Sequence, residues 1–270
     1  MNRAALVPIV TAVLAIAGLA GSAYADTARP AALQGVGIDQ RLDQPLPLDL
    51  SFRDETGRVV RLGDFFGAKP VVLTLAYYHC PMLCPLALES LVRSLRPLSL
   101  SAGNEFEIVT VSIDARETPA QAAEKKQKML TQYGRKEAAG GWHFLVGDTD
   151  AVRRLAEAVG FHYQYDAASD QFAHATGLVM LTPQGRISRY LYGLDYAPRD
   201  VKLALVEASQ NKIGTLTDQL LLFCYHYDPA TGKYGPAAMT AVRVAGALTV
   251  LILGCFIGLQ LRQEERGPGA

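Results

Sequence analysis

The chain has 270 residues with 26 basic and 26 acidic side chains, so its formal net charge is zero. A nucleic-acid-binding protein needs a surplus of positive charge to meet phosphates, and this balance argues against that class. Half of the residues are hydrophobic and only 19% are charged, which excludes disorder as a description of the whole chain. Four cysteines are too few for a disulfide-stabilised scaffold, so each has to be interpreted by its position.

The N-terminus has the pattern of a secretory signal peptide. Arg3 precedes an apolar run over residues 4–20, and the small residues Ala23 and Ala25 occupy the positions that signal peptidase requires. We therefore expect residues 1–25 to be a cleaved signal peptide, with an uncleaved anchor helix as the alternative. Either interpretation predicts that the following chain lies outside the cytoplasm.

An uncharged apolar stretch near the C-terminus predicts a transmembrane helix. Residues 244–261 contain one strongly polar side chain, Gln260, and the predicted helix extends over residues 237–261. Two arginines in residues 262–270 place this tail in the cytoplasm by the positive-inside rule. The sequence thus predicts a periplasmic globular domain, tethered by its C-terminus to a bacterial inner membrane.

Between these two ends the chain divides by composition into three segments. Residues 26–45 are rich in Ala, Pro, Gly and Gln and are interpreted as a leader. Residues 46–212 carry strand and helix patterns that predict a single domain. Residues 213–236 are interpreted as a juxtamembrane connector.

Predicted strands and helices alternate along the domain. The apolar runs at 71–78 and 107–113 are typical of strands that are buried on both faces of a sheet. Thr118 is the predicted N-cap of a helix that has Pro119 in its first turn. The predicted strands are 48–53, 58–62, 71–78, 107–113, 142–146, 177–181 and 186–191, and the predicted helices are 82–95, 120–133, 149–159 and 198–209. This order predicts an α/β fold around one mixed sheet.

Cys80 and Cys84 stand where a buried strand is predicted to end and a helix to begin. Residues four apart share one face of a helix, so both sulfurs can point to the same ion or to each other. A helix N-terminus also lowers the pKa of a thiol, which favours the thiolate that metal binding and redox chemistry need. The pair therefore predicts a site for copper(I) or zinc, once an imidazole completes it, or a redox disulfide. A plain structural disulfide is the alternative.

The residues around this pair resemble the signature of the Sco/SenC copper chaperones. The run over residues 70–85, PVVLTLAYYHCPMLCP, carries the first part of the resemblance. Residues 111–114 followed by 117–119 are similar to the segment after that family's second strand. His174 then precedes an apolar strand at 177–181, as in the family. The resemblance covers residues 46–210.

This resemblance implies a thioredoxin-like fold, with a mixed central sheet flanked by helices, that binds one copper ion, Cu(I) or Cu(II). The implied ligands are Cys80, Cys84 and His174, and the two cysteines would also form a redox disulfide. Asp114 is expected to act next to the ligands or in partner docking. The implied function is to take copper from a donor chaperone and deliver it to the CuA centre of cytochrome c oxidase subunit II or a similar acceptor protein.

The main alternative is a thiol–disulfide oxidoreductase that reduces cysteines of the client before metallation. It would use Cys80 and Cys84, one attacking and the other resolving, whereas His174 would matter little. The three-residue spacer between the cysteines differs from the two-residue spacer of thioredoxin-type motifs and favours metal binding. A thiol peroxidase is disfavoured because its nucleophile pattern is missing from this turn.

Three features depart from the family pattern. Met82 stands where the family usually has an acidic residue, and Ala173 and Ala175 replace the usual Asp and Ser on either side of the histidine. The predicted membrane anchor is C-terminal, whereas most members have an N-terminal one. The implied ligands are intact, so these departures concern the client more than the copper.

The remaining histidines and cysteines have weaker claims. His79 is expected to be a non-ligand, because its position next to Cys80 in a strand would point it to the opposite face. Cys224 and His226 stand in an aromatic stretch that is typical of a membrane interface. We consider them an accessory metal site or a source of a resolving thiol. His143 and His162 are interpreted as structural or solvated, and Cys255 as an apolar filler of the predicted transmembrane helix.

Overall fold

The structure is a computed structural model that describes residues 35–79, 84–213, 227–228, 233–234, 244–250, 252–254 and 256–257. For residues 84–85, 227–228 and 233–234 it describes the main chain alone. The chain forms two compact units. The smaller unit combines the chain up to Asp39 with Gly160–Ala175, and the larger unit contains Gln40–Val159 and the chain from Thr176 onward.

The elements are numbered here in chain order. The strands are β1 (Gly37–Ile38), β2 (Ser51–Arg53), β3 (Val59–Arg61), β4 (Val71–Ala76), β5 (Glu107–Ser112), β6 (Trp142–Leu145), β7 (Phe161–Asp166), β8 (Gln171–His174), β9 (Gly177–Leu181), β10 (Ile187–Tyr192), β11 (Tyr227–Asp228) and β12 (Lys233–Tyr234). The helices are α1 (Cys84–Leu95), α2 (Pro119–Tyr133), α3 (Thr149–Ala158) and α4 (Pro198–Ser209), with 3-10 turns at Leu62–Phe65 and Lys136–Gly140.

The larger unit is built on a five-stranded mixed sheet with the order β10–β9–β4–β5–β6. Strands β4, β5 and β6 run parallel, whereas β9 is antiparallel to β4 and β10 is antiparallel to β9. The ends of the parallel strands therefore meet at one edge, which we call the carboxyl edge, and their starts meet at the amino edge. Because β9 is antiparallel to β4, it begins at the carboxyl edge.

Helices cover this sheet and bury its apolar side chains. Helix α1 packs against α2 and α4, α2 packs against β6, and α4 packs against β9 and β10. The aromatic rings of Trp142 and Phe144 on β6 stack at 5.5 Å within the resulting core. Every residue of β4 is buried, and only the first residue of β5 is not, as their continuous apolar runs predicted.

The start of α2 confirms the predicted helix cap. The side chain of Thr118 accepts a hydrogen bond from the backbone N–H of Gln121, and the Gln121 side chain accepts one from the N–H of Thr118. Pro119 occupies the first turn, where its missing N–H costs no helix bond. The helix ends at Gly134, whose φ of +73° is a left-handed conformation that a residue without Cβ adopts freely.

The smaller unit is a three-stranded antiparallel sheet with the order β1–β7–β8. Its β7–β8 hairpin pairs Tyr163 with His174 and Tyr165 with Phe172. None of these three strands is among those predicted from the sequence. The alternation of aromatic and polar residues in β7, FHYQYD, is the period-two pattern of a half-buried strand, and it carries this signal in the sequence.

All predicted strands and helices of the domain are present, with described ends that differ by up to three residues. Strand β4 ends at Ala76 rather than at residue 78, because the chain leaves the sheet at Tyr77. Within the described residues, no helix is long and apolar enough to span a membrane. Residues 244–250, 252–254 and 256–257 are helical, and the transmembrane helix predicted over 237–261 is not confirmed.

Candidate metal centre

The predicted metal-binding cysteines follow β4 in the chain, and β4 ends at the carboxyl edge of the five-stranded sheet. Cys80 follows β4 after a short turn and lies outside the described residues, as do Cys224 and His226. Cys84 lies in the first described turn of α1, where its main chain is placed. Within the described residues, no group of three or more His, Cys, Asp or Glu side chains could hold a metal. The complete predicted ligand set thus stays a prediction.

His174 is the last residue of β8, in the smaller unit. Its ring packs 5.9 Å from that of Phe161, and its Nδ1 lies 2.8 Å from the carbonyl oxygen of Ala175. A carbonyl can only accept a hydrogen bond, so this contact requires the proton on Nδ1. A hydrogen bond on one nitrogen of a ligand histidine orients its ring, while the role of His174 as a ligand stays a prediction.

Asp114 follows β5 at the same carboxyl edge, and its carboxylate is bound by its own loop. It accepts hydrogen bonds from the backbone N–H of Arg116 at 2.9 Å and from the guanidinium Nε and Nη2, each at 2.8 Å. Asp114 is buried, whereas the Arg116 side chain is 56% exposed. The Asp114 carboxylate therefore stabilises this turn and binds the guanidinium of Arg116. Its expected role beside the ligands or in partner docking stays a prediction.

Glu117 begins the family-like segment 117–119, but the sequence assigns it no role of its own. Its side chain is 4% exposed, and its carboxylate accepts the backbone N–H groups of Tyr78 and His79, both at 2.8 Å. The hydroxyl of Ser112 donates a third hydrogen bond at 2.5 Å. The sequence carries a signal for this contact. Glu117 closely follows one predicted parallel strand and Cys80 follows its neighbour, and the carboxyl ends of parallel strands meet at one edge of a sheet.

His79 does not occupy the strand position expected from the sequence. Strand β4 ends at Ala76, and His79 lies in a turn with a side chain that is 60% exposed. Its Nδ1 lies 3.5 Å from the nearer oxygen of Glu117. The strand argument against a ligand role is therefore wrong, since alternation of side chains holds only inside a strand.

Tyr78 anchors the same turn from within the core. Its phenol donates a hydrogen bond to the carbonyl oxygen of Leu145 at 2.7 Å and lies 3.1 Å from that of Thr110. Burial, together with the negative charges of Glu117 and Glu55, raises the pKa of the Tyr78 phenol well above its ordinary value. The hydroxyl therefore remains a donor throughout the physiological pH range.

The two other described histidines have carboxylate partners. His143 lies on β6 with its Nε2 3.3 Å from Glu107, at the amino edge of the sheet. His162 lies on β7 with its Nε2 2.8 Å from Asp39. Both contacts agree with the structural interpretation made from the sequence.

The chain is similar to known proteins in sequence and in fold. The sequence model described as SCO1/SenC matches residues 39–208. No curated protein matches the chain significantly by sequence. A crystal structure from Aquifex aeolicus VF5 is 26% identical with a TM-score of 0.55, and the match covers 65% of this chain and 98% of that one.

Two further structures are similar to the chain. A SCO1/SenC family lipoprotein from Bacillus anthracis is 16% identical with a TM-score of 0.53, over 63% of this chain and 99% of that one. ScoI from Arabidopsis thaliana, solved with copper bound, is 18% identical with a TM-score of 0.49, over 63% and 99% of the two chains. The family match and the similarity to the Aquifex aeolicus structure show a mixed α/β, thioredoxin-like fold. Because the family model matches more than half of the chain, this protein belongs to the SCO1/SenC family.

Proposed function

We propose that this protein is a copper metallochaperone that carries one copper ion on Cys80, Cys84 and His174. Its client would be the CuA centre of a cytochrome c oxidase-type subunit, and its source a donor chaperone. Membership of the SCO1/SenC family supports the proposal. The donor set supports it as well, because two thiolates and an imidazole favour copper(I) over hard cations.

The observation that carries the proposal is the topology of the five-stranded sheet. Strand β4 leads into Cys80, and its antiparallel neighbour β9 begins at Gly177, three residues after His174 in the chain. The register pairs Val71 with Leu181 and Leu73 with Val179, so the first residues of β9 lie beside the last residues of β4. The strand that precedes Cys80 and the strand that follows His174 in the sequence are thus neighbours in one sheet, and this pairing supports the proposal.

Copper would be cargo in this mechanism, and the ligands have distinct tasks. In the reduced protein, Cys80 and Cys84 would each lose a proton and bind as thiolates. His174 would bind as the neutral ring whose orientation Ala175 helps to set. Three protein ligands leave a position for a ligand of the acceptor, so the ion can pass to it by successive ligand exchange.

The cellular setting belongs to the same proposal. The signal peptide pattern of residues 1–25 and the apolar stretch at 237–261 support a periplasmic domain with a C-terminal anchor in a bacterial inner membrane. The arginines after this stretch support a cytoplasmic tail. An oxidase subunit that receives copper on its periplasmic side would then lie within reach.

The second candidate is a thiol–disulfide oxidoreductase. The position of Cys84 in the first described turn of α1 favours it, because a helix N-terminus stabilises a thiolate. The two functions share both cysteines and differ in their need for His174, which only the copper site requires.

The test is the amount and affinity of Cu(I) bound by the reduced full-length chain under anaerobic conditions, compared with His174→Ala. His162→Ala is the matched control, because His162 lies on the same hairpin and contacts Asp39. We expect one copper per chain in the wild type and the control. In His174→Ala the affinity falls by more than about tenfold, since even partners of a ligand typically contribute that much.

A different result would reassign the protein. Little copper in all three proteins, with disulfide-reductase activity retained in all three, would make it a thiol oxidoreductase. Equal copper binding by the wild type and His174→Ala would remove His174 from the site.

A further inference from the structure

The turn that leads from β4 to Cys80 is fastened to the segment that follows β5. The N–H of Ile113 donates to the carbonyl of Ala76 at 2.9 Å and continues the pairing of β4 and β5 just past the end of β5. The N–H groups of Tyr78 and His79 donate to the Glu117 carboxylate. The Glu117 side chain thereby accepts from both main-chain N–H groups immediately before Cys80.

The two oxygens of the Glu117 carboxylate accept hydrogen bonds from different donors. Oε2 of Glu117 accepts from the N–H of Tyr78 at 2.8 Å and from the hydroxyl of Ser112, whereas Oε1 accepts from the N–H of His79 at 2.8 Å. Hydrogen bonds to an ionised acceptor are stronger than neutral ones, and burial of the carboxylate strengthens them further. An amide at this position has one acceptor oxygen, and its NH₂ group would face an N–H donor.

Glu117 is itself held on both sides. Its backbone N–H donates to the carbonyl of Asp114 at 3.1 Å, inside the turn that Arg116 closes. Thr118, the next residue, caps helix α2. The acceptor is thus preorganised by elements of the larger unit, so it can impose a conformation on the turn before Cys80.

We propose that Glu117 is a positioning residue that sets the main-chain conformation at the approach to Cys80 and thereby tunes copper affinity. This inference rests on the proposed copper function. Glu117 acts through the backbone of Tyr78 and His79 and has no ligand role in it. Loss of the two N–H bonds is expected to loosen the main chain of Tyr78 and His79 and thereby to weaken copper binding.

The test compares Cu(I) affinity in the full-length wild type, Glu117→Gln and Glu107→Gln. Glu107 is a matched control, because it is a partly buried glutamate of the same sheet at the amino edge, bonded to Lys69 and His143. We expect Glu117→Gln to weaken Cu(I) binding by about 10- to 100-fold, the range for residues that orient metal ligands. Glu107→Gln stays within about threefold of the wild type, well below that range.

A second measurement does not involve copper. Hydrogen–deuterium exchange of the Tyr78 and His79 amides in the metal-free chain is expected to accelerate at least about tenfold in Glu117→Gln and to be unchanged in Glu107→Gln, as loss of a hydrogen bond of about 1.4 kcal/mol would give. Thermal unfolding midpoints of both variants check that neither has lost its fold.

The outcomes separate the two proposals. If the wild type binds no copper, the proposed function fails, and accelerated exchange in Glu117→Gln would still establish the backbone restraint. Unchanged exchange of both amides in a folded Glu117→Gln overturns the positioning role. Equal Cu(I) affinity in the two Glu→Gln variants overturns its link to copper.

Discussion

The two edges of the central sheet each hold a glutamate, and they use it differently. At the carboxyl edge, Glu117 accepts from two backbone N–H groups of the turn before Cys80. At the amino edge, Glu107 accepts from the side chains of Lys69 at 2.9 Å and His143 at 3.3 Å. One carboxylate restrains the course of the main chain, whereas the other pairs with ionisable side chains that can rearrange.

The two glutamates differ in how firmly they restrain the main chain. A backbone N–H has no rotamer freedom of its own, so a carboxylate that accepts two of them restrains the chain itself. Lys69 and His143 can adjust their side chains without moving a strand. The restrained main chain lies at the carboxyl edge, directly before the proposed copper ligand Cys80. The adjustable side chains lie at the amino edge, at the opposite ends of the strands.

Removing the Tyr78 hydroxyl is expected to have the largest effect on stability at the carboxyl edge. In Tyr78→Phe, the buried carbonyl of Leu145 loses its 2.7 Å partner, which costs about 2 kcal/mol of unfolding free energy. Urea unfolding of the full-length chain measures this loss. Tyr165→Phe, which removes an exposed hydroxyl bonded to Asp170, is the control and is expected to cost less than about 0.5 kcal/mol. Equal losses in the two variants would contradict the role assigned to the Tyr78 phenol.

A smaller effect is expected from the helix cap that adjoins Glu117. Thr118→Ala removes the side-chain acceptor for the Gln121 N–H and should lower the unfolding free energy by about 1 kcal/mol. Glu117 keeps its contacts with Tyr78 and His79 in this variant, so Cu(I) affinity should stay within about threefold of the wild type. A tenfold loss of affinity would show that the cap, rather than the carboxylate, sets the turn.

The smallest effect is expected at the amino edge, and it depends on pH. Burial raises the pKa of Glu107, but the hydrogen bonds and charges of His143 and Lys69 outweigh it and hold this pKa below its ordinary value near 4.5. The stabilisation is therefore complete above the ordinary pKa and is lost as the pH falls through the lowered one. Glu107→Gln should cost about 0.5 kcal/mol at pH 7, and this cost should shrink as the pH falls below 4.5.

Unfolding free energies of the wild type and Glu107→Gln across this pH range measure the difference. A penalty that persists unchanged at pH 3 would show that the ionised carboxylate does not carry the stabilisation.

Much of the larger unit could be predicted from the sequence, because its signals are local. The apolar runs of β4 and β5, and the Thr118–Pro119 start of α2, each follow from residues close together in the chain. The motif around Cys80 and Cys84 indicated the family for the same reason.

The restraint at the carboxyl edge could not be predicted in this way. Glu117 meets Tyr78 and His79 across 39 and 38 positions of the chain, so the contact depends on the parallel pairing of two strands. The β7–β8 hairpin carries a local period-two signal in β7. It was missed because the polar residues that alternate with the aromatic ones are also common in loops. The end of β4 at Ala76 could not be predicted either, because the two tyrosines that follow it continue the apolar run.

The most direct test of the copper site is X-ray absorption spectroscopy of the Cu(I)-loaded full-length chain, together with His174→Ala. We expect two sulfur scatterers and one nitrogen scatterer in the wild type, and loss of the nitrogen scatterer in the variant. A spectrum with a single sulfur, or a nitrogen scatterer that survives in His174→Ala, would contradict the site of Cys80, Cys84 and His174.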